Sequence, residues 1–176
     1  MPEGPEVKTT VDSLHSMCAG KNIINIRPIS GRYTRNPIAG LEETQFPLGI
    51  YTVCCKGKFI YFDLQHENYI FNTLGMTGTW STYCDKHSRV EMIFDDGMSI
   101  FFTDVRNFGT LKIVKGREKL RKKLKSIGPD FLQDAFGPER FYSLLKKYPN
   151  KTISEFLMNQ KIVSGIGNYL KAECLY

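Results

Sequence analysis

The first six residues of the chain carry groups that could react with an aldehyde carbon. Removal of Met1 would leave the secondary amine of Pro2 at the N-terminus, and an α-amine titrates near about 8, so a useful fraction is neutral at pH 7. Its attack on an aldehyde would give an iminium cation, which is an electron sink for bond cleavage. Glu3 and Glu6 flank this amine, and neighbouring carboxyl groups suit a reaction that moves protons. The alternative is a frayed tail ahead of a helix.

Residues 2–7, Pro-Glu-Gly-Pro-Glu-Val, resemble the N-terminus of the formamidopyrimidine-DNA glycosylase and endonuclease VIII family of base-excision repair enzymes. The resemblance implies that Pro2 is the nucleophile, that Glu3 assists ring opening and proton transfer, and that Glu6 holds the N-terminus. It also implies a DNA glycosylase with lyase activity at abasic sites, which acts on damaged duplex DNA. Gly4 is similar to the endonuclease VIII branch, because leucine is typical there in the other branch, and this favours oxidised pyrimidines as substrates.

Two segments in the middle of the chain are similar to DNA-contacting segments of the same family. Lys58 follows Gly57 in a strand connection, and this Lys-Gly-Lys pattern resembles the segment whose lysine binds a phosphate and the lesion. Met76 lies between two glycines, and a similar loop of the family uses its methionine to fill the gap left by an everted base. Thr73 stands where many relatives have histidine, which puts one phosphate contact in doubt. The alternatives are an ordinary hairpin lysine and a methionine that fills the core.

The segment Asp104–Gly109 places an arginine and an aromatic residue two positions apart in an irregular loop. Arg106 and Phe108 match the family's pair, in which the arginine hydrogen-bonds the orphaned base and the ring wedges beside it. Asn107 stands where relatives carry another basic residue, so one phosphate contact is expected to be weaker. The alternative is a surface turn with a buried phenylalanine.

A turn at residues 165–167 precedes the last helical pattern, which Asn168 is expected to cap. Two glycines before a capped helix expose backbone amides to an anion, and the helix dipole favours negative charge there. The turn is similar to that of the family's helix-two-turn-helix motif, whose asparagine and neighbouring amides grip the DNA backbone. This resemblance implies that Gly167 and Asn168 bind DNA. The alternative is a plain turn between two helices.

Hydrophobic periodicity predicts the elements that must position these groups. Val7, Val11, Leu14 and Cys18 repeat on one helical face. Strand patterns follow at residues 23–29, 49–55, 59–64, 69–74, 89–94, 99–103 and 110–114. Such even spacing predicts a β-sandwich or a barrel. The turn residues at 95–97 predict a hairpin.

The composition changes after the strand patterns. Lys115–Lys125 carries seven basic residues on a helical pattern, whose charged side is either solvated or in contact with phosphate. Gly128–Asp130 breaks this pattern, and helical patterns follow. We therefore expect an α+β chain with a β-sandwich catalytic domain, flanked by helices, at residues 1–130. A partial helix-two-turn-helix DNA-binding domain is expected at residues 131–176, in a protein that continues beyond Tyr176.

The composition fits a nucleic-acid partner. The sequence has 24 Lys and Arg against 18 Asp and Glu, a net charge of +6, which is also shared by many plain soluble proteins. It has no run of 18 apolar residues and no signal-like start, so we expect a soluble intracellular monomer without a membrane partner. The five cysteines are odd in number and scattered, so neither a disulfide framework nor a zinc ribbon is expected. No metal and no soluble cofactor are expected, because the amine would do the covalent work. The resemblance places the finger of relatives, zinc-bearing or not, beyond Tyr176.

The activity that the resemblance implies is expulsion of an oxidised base by Pro2, followed by elimination of the 3′ and then the 5′ phosphate. Two other interpretations stay open at this point. A non-catalytic DNA-binding module needs only the positive charge and the helical turn, but it leaves the Pro2-Glu3 start unexplained. A lyase that acts at abasic sites without base excision is not separated from the full activity by the sequence.

Overall fold

The fold is α+β, as predicted: in the described residues one α-helix precedes an antiparallel sheet of eight strands and four α-helices follow it. The computed structural model describes residues 1–132 and 136–176. The α-helices and strands in these two ranges are α1 (Gly4–Cys18), β1 (Asn22–Pro28), β2 (Leu48–Lys56), β3 (Phe59–Leu64), β4 (Asn68–Thr73), β5 (Gly78–Ser81), β6 (Ser88–Phe94), β7 (Ser99–Asp104), β8 (Thr110–Lys115), α2 (Arg117–Lys125), α3 (Pro138–Lys147), α4 (Ile153–Met158) and α5 (Asn168–Leu175), with short 3-10 helices at Gly31–Thr34 and Gln65–Glu67.

The eight strands form a β-sandwich. Their order is β5-β7-β6-β1-β2-β3-β4-β8, and β1 and β2 pair only at Asn22↔Gly49 and Ile23↔Leu48, which leaves two halves of four strands. Phe62 on β3 and Trp80 on β5 are far apart in that order, yet their ring centroids lie 5.8 Å apart. The two halves therefore face each other across one apolar core.

The strand prediction is confirmed for seven of the eight strands within one or two residues at each end. The hairpin turn at 95–97 is also confirmed, and Gly97 has the positive φ of 83° that such a turn requires. The short strand β5 was not predicted. It has only four residues. These residues form a strand because they pair with β7, in a register that begins at Gly78↔Asp104. A pattern of that length carries too little periodicity to be recognised.

Two helices cover the sandwich. α1 buries Val7, Val11 and Leu14 in the main core, as its periodicity predicts. α2 lies on the outer face of β3 and β4, where Leu120 packs with Phe59 and Phe71 in a separate apolar cluster. The basic residues of α2 are left on the surface around this cluster.

The segment predicted to break α2 also joins the sandwich to the later helices. Asp130 is 1% exposed, and its Oδ2 accepts a hydrogen bond from the N–H of Gly57 at 2.7 Å. The N–H of Ser164 donates to the carbonyl of Pro129 at 2.8 Å. The helices after this segment have an apolar cluster of their own that contains Phe156. The division into domains at residue 130 remains a prediction.

Candidate active site

Glu3 connects the start of the chain to the start of α5. Its side chain is 1% exposed, and its Oε2 accepts hydrogen bonds from the N–H groups of Gly167 at 2.6 Å and Leu170 at 3.3 Å. Its Oε1 accepts from the N–H of Tyr169 at 3.0 Å. The first N–H groups of a helix have no partner within the helix, and the helix dipole favours an anion at this end. The carboxylate that occupies the N-terminus of α5 is therefore Glu3.

The prediction that Asn168 caps α5 is wrong. Asn168 is the first residue of the helix, the cap position is Gly167, and no side chain of the cap residue accepts a hydrogen bond there. The side-chain oxygen of Asn168 instead accepts from Nζ of Lys171 at 3.4 Å. The acceptor comes from Glu3, 164 positions away, which local sequence rules cannot reveal. The N–H of Gly167, predicted to contact DNA, already donates to that carboxylate, whereas the Asn168 side chain is exposed.

Lys58 and Glu3 converge on the α-carbon of Gly167. A β-carbon at Gly167 would lie 2.2 Å from Oε1 of Glu3 and 2.6 Å from Nζ of Lys58, so only glycine leaves room for both groups. Lys58 lies in the turn between β2 and β3, next to Gly57, which Asp130 holds in place. Burial lowers the pKa of Lys58, while the charges of Glu3 and Glu6 oppose this shift. A lowered pKa brings a lysine closer to the range in which it can exchange protons near neutral pH.

Pro2 lines a cavity of about 260 Å³, together with Lys58 and Gly75. Met1 precedes Pro2 and is 52% exposed, and while it remains attached the Pro2 nitrogen is an amide rather than an amine. The amine chemistry predicted for Pro2 therefore requires removal of Met1. Pro2 and Lys58 thus line one cavity, and Glu3 lies next to Lys58 at Gly167 without lining the cavity itself.

Glu6 is fixed by two hydrogen bonds in the first turn of α1. Its Oε2 accepts from the N–H of Glu3 at 2.9 Å, and its Oε1 accepts from the hydroxyl of Tyr169 at 2.7 Å. Although burial alone would raise it, these hydrogen bonds hold the pKa of Glu6 below its ordinary value. The same contact raises the pKa of Tyr169 to about 12. Glu6 thus orients the segment that carries Pro2.

Met76, Arg106 and Phe108 lie on two loops that one buried carboxylate connects. Oδ1 of Asp104 accepts from the hydroxyl of Thr77 at 2.5 Å, and Oδ2 accepts from the N–H of Gly109 at 2.7 Å. Asp104 is 0% exposed. The three predicted DNA-contacting side chains lie on the surface of these loops, where Met76 is 38% exposed and Phe108 is 54% exposed. The guanidinium of Arg106 lies 4.9 Å from the centroid of the Phe108 ring.

Asn107 is directed into the protein rather than along this exposed row. Its backbone is left-handed, with φ of 59°. A β-carbon at Gly31 would lie 2.8 Å from its Nδ2, so its amide packs against that glycine. Within the part of the chain that the structure describes, its buried Oδ1 has no hydrogen-bond partner. The position therefore contributes no charge to the exposed surface.

Sequence reasoning assigned no role to several residues that position the site. Tyr169 holds Glu6, and Asp104 holds the two loops. Gln160 donates to the carbonyl of Ile166 at 2.7 Å and accepts from the N–H of Gly165 at 3.0 Å, which shapes the turn before α5. Of these three residues, only Asp104 and Tyr169 could have been found from the sequence, because each lies within or next to a recognised motif. Gln160 lies outside every motif.

Two classes of site are not found in the described residues. Residues 1–132 and 136–176 contain no group of three or more His, Cys, Asp or Glu side chains arranged to hold a metal ion. None of the helices in those two ranges has the length and apolar character needed to cross a membrane.

Comparison with known proteins gives consistent matches. The family model for the formamidopyrimidine-DNA glycosylase N-terminal domain matches residues 1–111. The chain is 33% identical to the formamidopyrimidine-DNA glycosylase of Brevibacillus brevis, in a match that covers 100% of this chain and 66% of that protein. It is also 33% identical to the formamidopyrimidine-DNA glycosylase of Oceanobacillus iheyensis, of which it covers 65%.

Solved structures agree with these sequence matches. The crystal structure of the MutM (Fpg) protein from Thermus thermophilus has a TM-score of 0.83 at 27% identity, covering 99% of this chain and 63% of that one. The complex between the Lactococcus lactis Fpg and an abasic site containing DNA has a TM-score of 0.82 at 25% identity, covering 99% and 66%. The chain thus spans about two thirds of the length of these proteins.

Replacement of Glu3 by Gln is expected to destabilise the protein by about 1–3 kcal/mol. The glutamine side chain has one acceptor oxygen, whereas the carboxylate of Glu3 uses two oxygens to accept from three N–H groups. The NH₂ group that replaces the second oxygen is itself a donor, so at least one buried N–H group loses its acceptor. Denaturant unfolding measures this difference. The control is Glu42→Gln, an exposed position, with an expected effect within about 0.5 kcal/mol. Equal stability of the two variants would contradict the role given to Glu3.

Replacement of Tyr169 by Phe is expected to raise the pKa of Glu6, because it removes a hydrogen bond that lowers it. A carboxyl group whose pKa is lowered in the folded state contributes stability above its ordinary pKa and loses this contribution as the pH falls through the folded value. The stability difference between wild type and Tyr169→Phe should therefore shrink on acidification. An NMR titration of the Glu6 carboxyl carbon measures the shift directly. Tyr142→Phe, an exposed position on α3, should leave the Glu6 titration unchanged.

Proposed function

Because the chain belongs to the formamidopyrimidine-DNA glycosylase family, we propose that it removes oxidised bases from duplex DNA and cleaves the strand through an iminium at Pro2. The observation that carries this proposal is that Pro2 and Lys58 line one cavity, while Glu3 lies next to Lys58 at the N-terminus of α5. The complex of the Lactococcus lactis Fpg with an abasic site containing DNA supports damaged DNA as the partner. Because the chain covers 66% or less of the relatives named above, its activity and its partner are both part of the proposal.

The reaction would begin when the damaged nucleotide leaves the base stack and enters the cavity. The Pro2 nitrogen forms a bond to C1′ as the bond between C1′ and the base breaks. The nitrogen loses its proton in this step, and the leaving base takes one up. The sugar ring opens as O4′ takes up a proton, for which Glu3 is the proposed assistant. The resulting iminium acidifies C2′, and proton loss there expels the 3′ phosphate. A second elimination expels the 5′ phosphate.

The remaining groups are assigned to binding. Lys58 carries a positive charge into the cavity next to Pro2 and is proposed to contact a phosphate and the lesion. Met76, Arg106 and Phe108 would occupy the gap in the duplex, because they are exposed on loops that Asp104 fixes. Asn168 would contact the DNA backbone through its exposed side chain. Gly167 would serve mainly by leaving space, because its N–H donates to Glu3.

Oxidised pyrimidines are the proposed substrates, by the similarity of Gly4 to the endonuclease VIII branch. Gly4 also has a local packing reason: a β-carbon there would lie 3.1 Å from Cε1 of Phe131 and 3.3 Å from Cα of Gly165. A larger residue at this position would need the turn before α5 to shift.

Borohydride reduction should trap the wild-type chain on a duplex that contains an abasic site, with the adduct at Pro2 by mass spectrometry. Intact mass first establishes that Met1 has been removed. Pro2→Leu is the matched variant, because a large second residue retains Met1, and its strand cleavage should fall by roughly 1,000-fold or more. Full cleavage by this variant would contradict the assignment of Pro2. Binding of the duplex without trapping by the wild type would favour the non-catalytic DNA-binding module.

Base release should be faster from a thymine glycol duplex than from an 8-oxoguanine duplex under the same conditions. Chromatography of the released bases measures both rates, and an abasic duplex serves as the control for strand cleavage. A preference for 8-oxoguanine would reverse the assignment to the endonuclease VIII branch. Cleavage of the abasic duplex without release of either base would identify a lyase that does not excise bases.

A further inference from the structure

Three lysines line the cavity that Pro2 lines, and the proposed reaction uses only one of them. Lys58 comes from the turn between β2 and β3, Lys56 from the end of β2, and Lys123 from α2. The basic run of α2 had two interpretations in the sequence, a solvated face or a phosphate contact. The cavity distinguishes the members of this run, because Lys123 lines it, whereas Lys119, Lys122 and Lys125 do not.

Packing holds Lys123 and Lys56 at the edge of the cavity. Leu120 fixes α2 against Phe59 and Phe71. One turn further along, Nζ of Lys123 lies 5.0 Å from the centroid of the Phe59 ring, a distance at which a cation is attracted to the ring face. Nζ of Lys56 donates to the carbonyl of Leu124 at 3.3 Å. These contacts place both ammonium groups beside the cavity, and Lys123 remains exposed on the surface of α2.

Neither lysine has an acidic partner in the described residues. The ion pairs formed there involve Lys8–Asp12, Lys21–Asp96, Arg27–Glu91 and Arg121–Glu118. Lys56, Lys58 and Lys123 therefore place three cationic side chains around one cavity, and an anion bound there would interact favourably with their positive charge. A cavity edge with fixed, unneutralised lysines thus favours a phosphate group.

We propose that Lys123, with Lys56, binds a backbone phosphate next to the nucleotide that enters the cavity. α2 is then a DNA-contacting element, and the strand that carries the lesion passes between α2 and the turn that holds Lys58. This inference rests on the proposed function, because it takes DNA as the ligand. Lys123 would then hold the DNA backbone beside the cavity, a contact that the N-terminal motif and the loops at Met76 and Arg106 do not supply.

The test is the salt dependence of binding to a duplex with a tetrahydrofuran abasic analogue, which the lyase reaction cannot cleave. Lys123→Met keeps the aliphatic stem over Phe59 and removes the charge. Its affinity should fall about fivefold to tenfold near 0.1 M salt, and its slope of log K against log salt should decrease by about 0.9. Lys123→Arg should restore the slope. Lys122→Met is the matched control, one position along α2 and outside the cavity, and should keep the wild-type slope.

A second measurement locates the phosphate. Replacing single phosphates on either side of the analogue by neutral methylphosphonates should weaken wild-type binding at one position. The same replacement should have little effect on Lys123→Met, because the partner charge is already absent. Thermal unfolding of each variant shows that its fold is retained.

The outcomes separate this inference from the proposed function. If the wild type is trapped on abasic DNA but Lys123→Met and Lys122→Met have equal slopes, the contact by Lys123 is overturned and the function stands. The contact would also be overturned if Lys123→Met bound more weakly than the wild type by the same factor on every duplex, whichever phosphate is replaced by a methylphosphonate. A wild-type protein that neither binds nor traps damaged DNA would overturn the function and this inference together.

Discussion

A buried carboxylate holds the first residues of this chain against its last helix. Glu3 is 1% exposed and accepts hydrogen bonds from three N–H groups at the start of α5. Those N–H groups would lack partners in an isolated helix, and the helix dipole favours an anion beside them. The contact therefore satisfies the helix and fixes the segment that carries Pro2 at the same time. The hydrogen bonds that Glu6 accepts from the N–H of Glu3 and the hydroxyl of Tyr169 hold the same segment, so Glu3 and Glu6 together position Pro2.

Two other buried carboxylates also fix segments that carry candidate site residues. Asp130, 1% exposed, accepts from the N–H of Gly57 and so fixes the turn that presents Lys58. Asp104, 0% exposed, connects the loop of Met76 to the loop of Arg106. In each case an anion that would be costly to bury alone is satisfied by hydrogen bonds to backbone or hydroxyl donors. These bonds position groups that lie far apart in the sequence.

This use of the acidic residues determines the charge of the cavity. Glu3, Asp104 and Asp130 are directed to donors inside the protein, whereas Lys58 and Lys123 line the cavity without an ion-pair partner in the described residues. The site is therefore basic although carboxylates lie close to it. A cavity with this charge suits a polyanionic ligand such as the DNA proposed above.

The sequence by itself determined the α+β class, seven of the eight strands, the face of α1 that is buried, and the candidate residues from Pro2 to Asn168. These features depend on local periodicity, turn chemistry and short motifs, which are properties of neighbouring residues. Only the tertiary structure decided which residue caps α5, why Gly167 must be small, and which lysine of α2 lines the cavity. Each of these depends on a contact between residues distant in the chain, such as Glu3 with Tyr169, and the packing of separate elements brings those residues within hydrogen-bond distance.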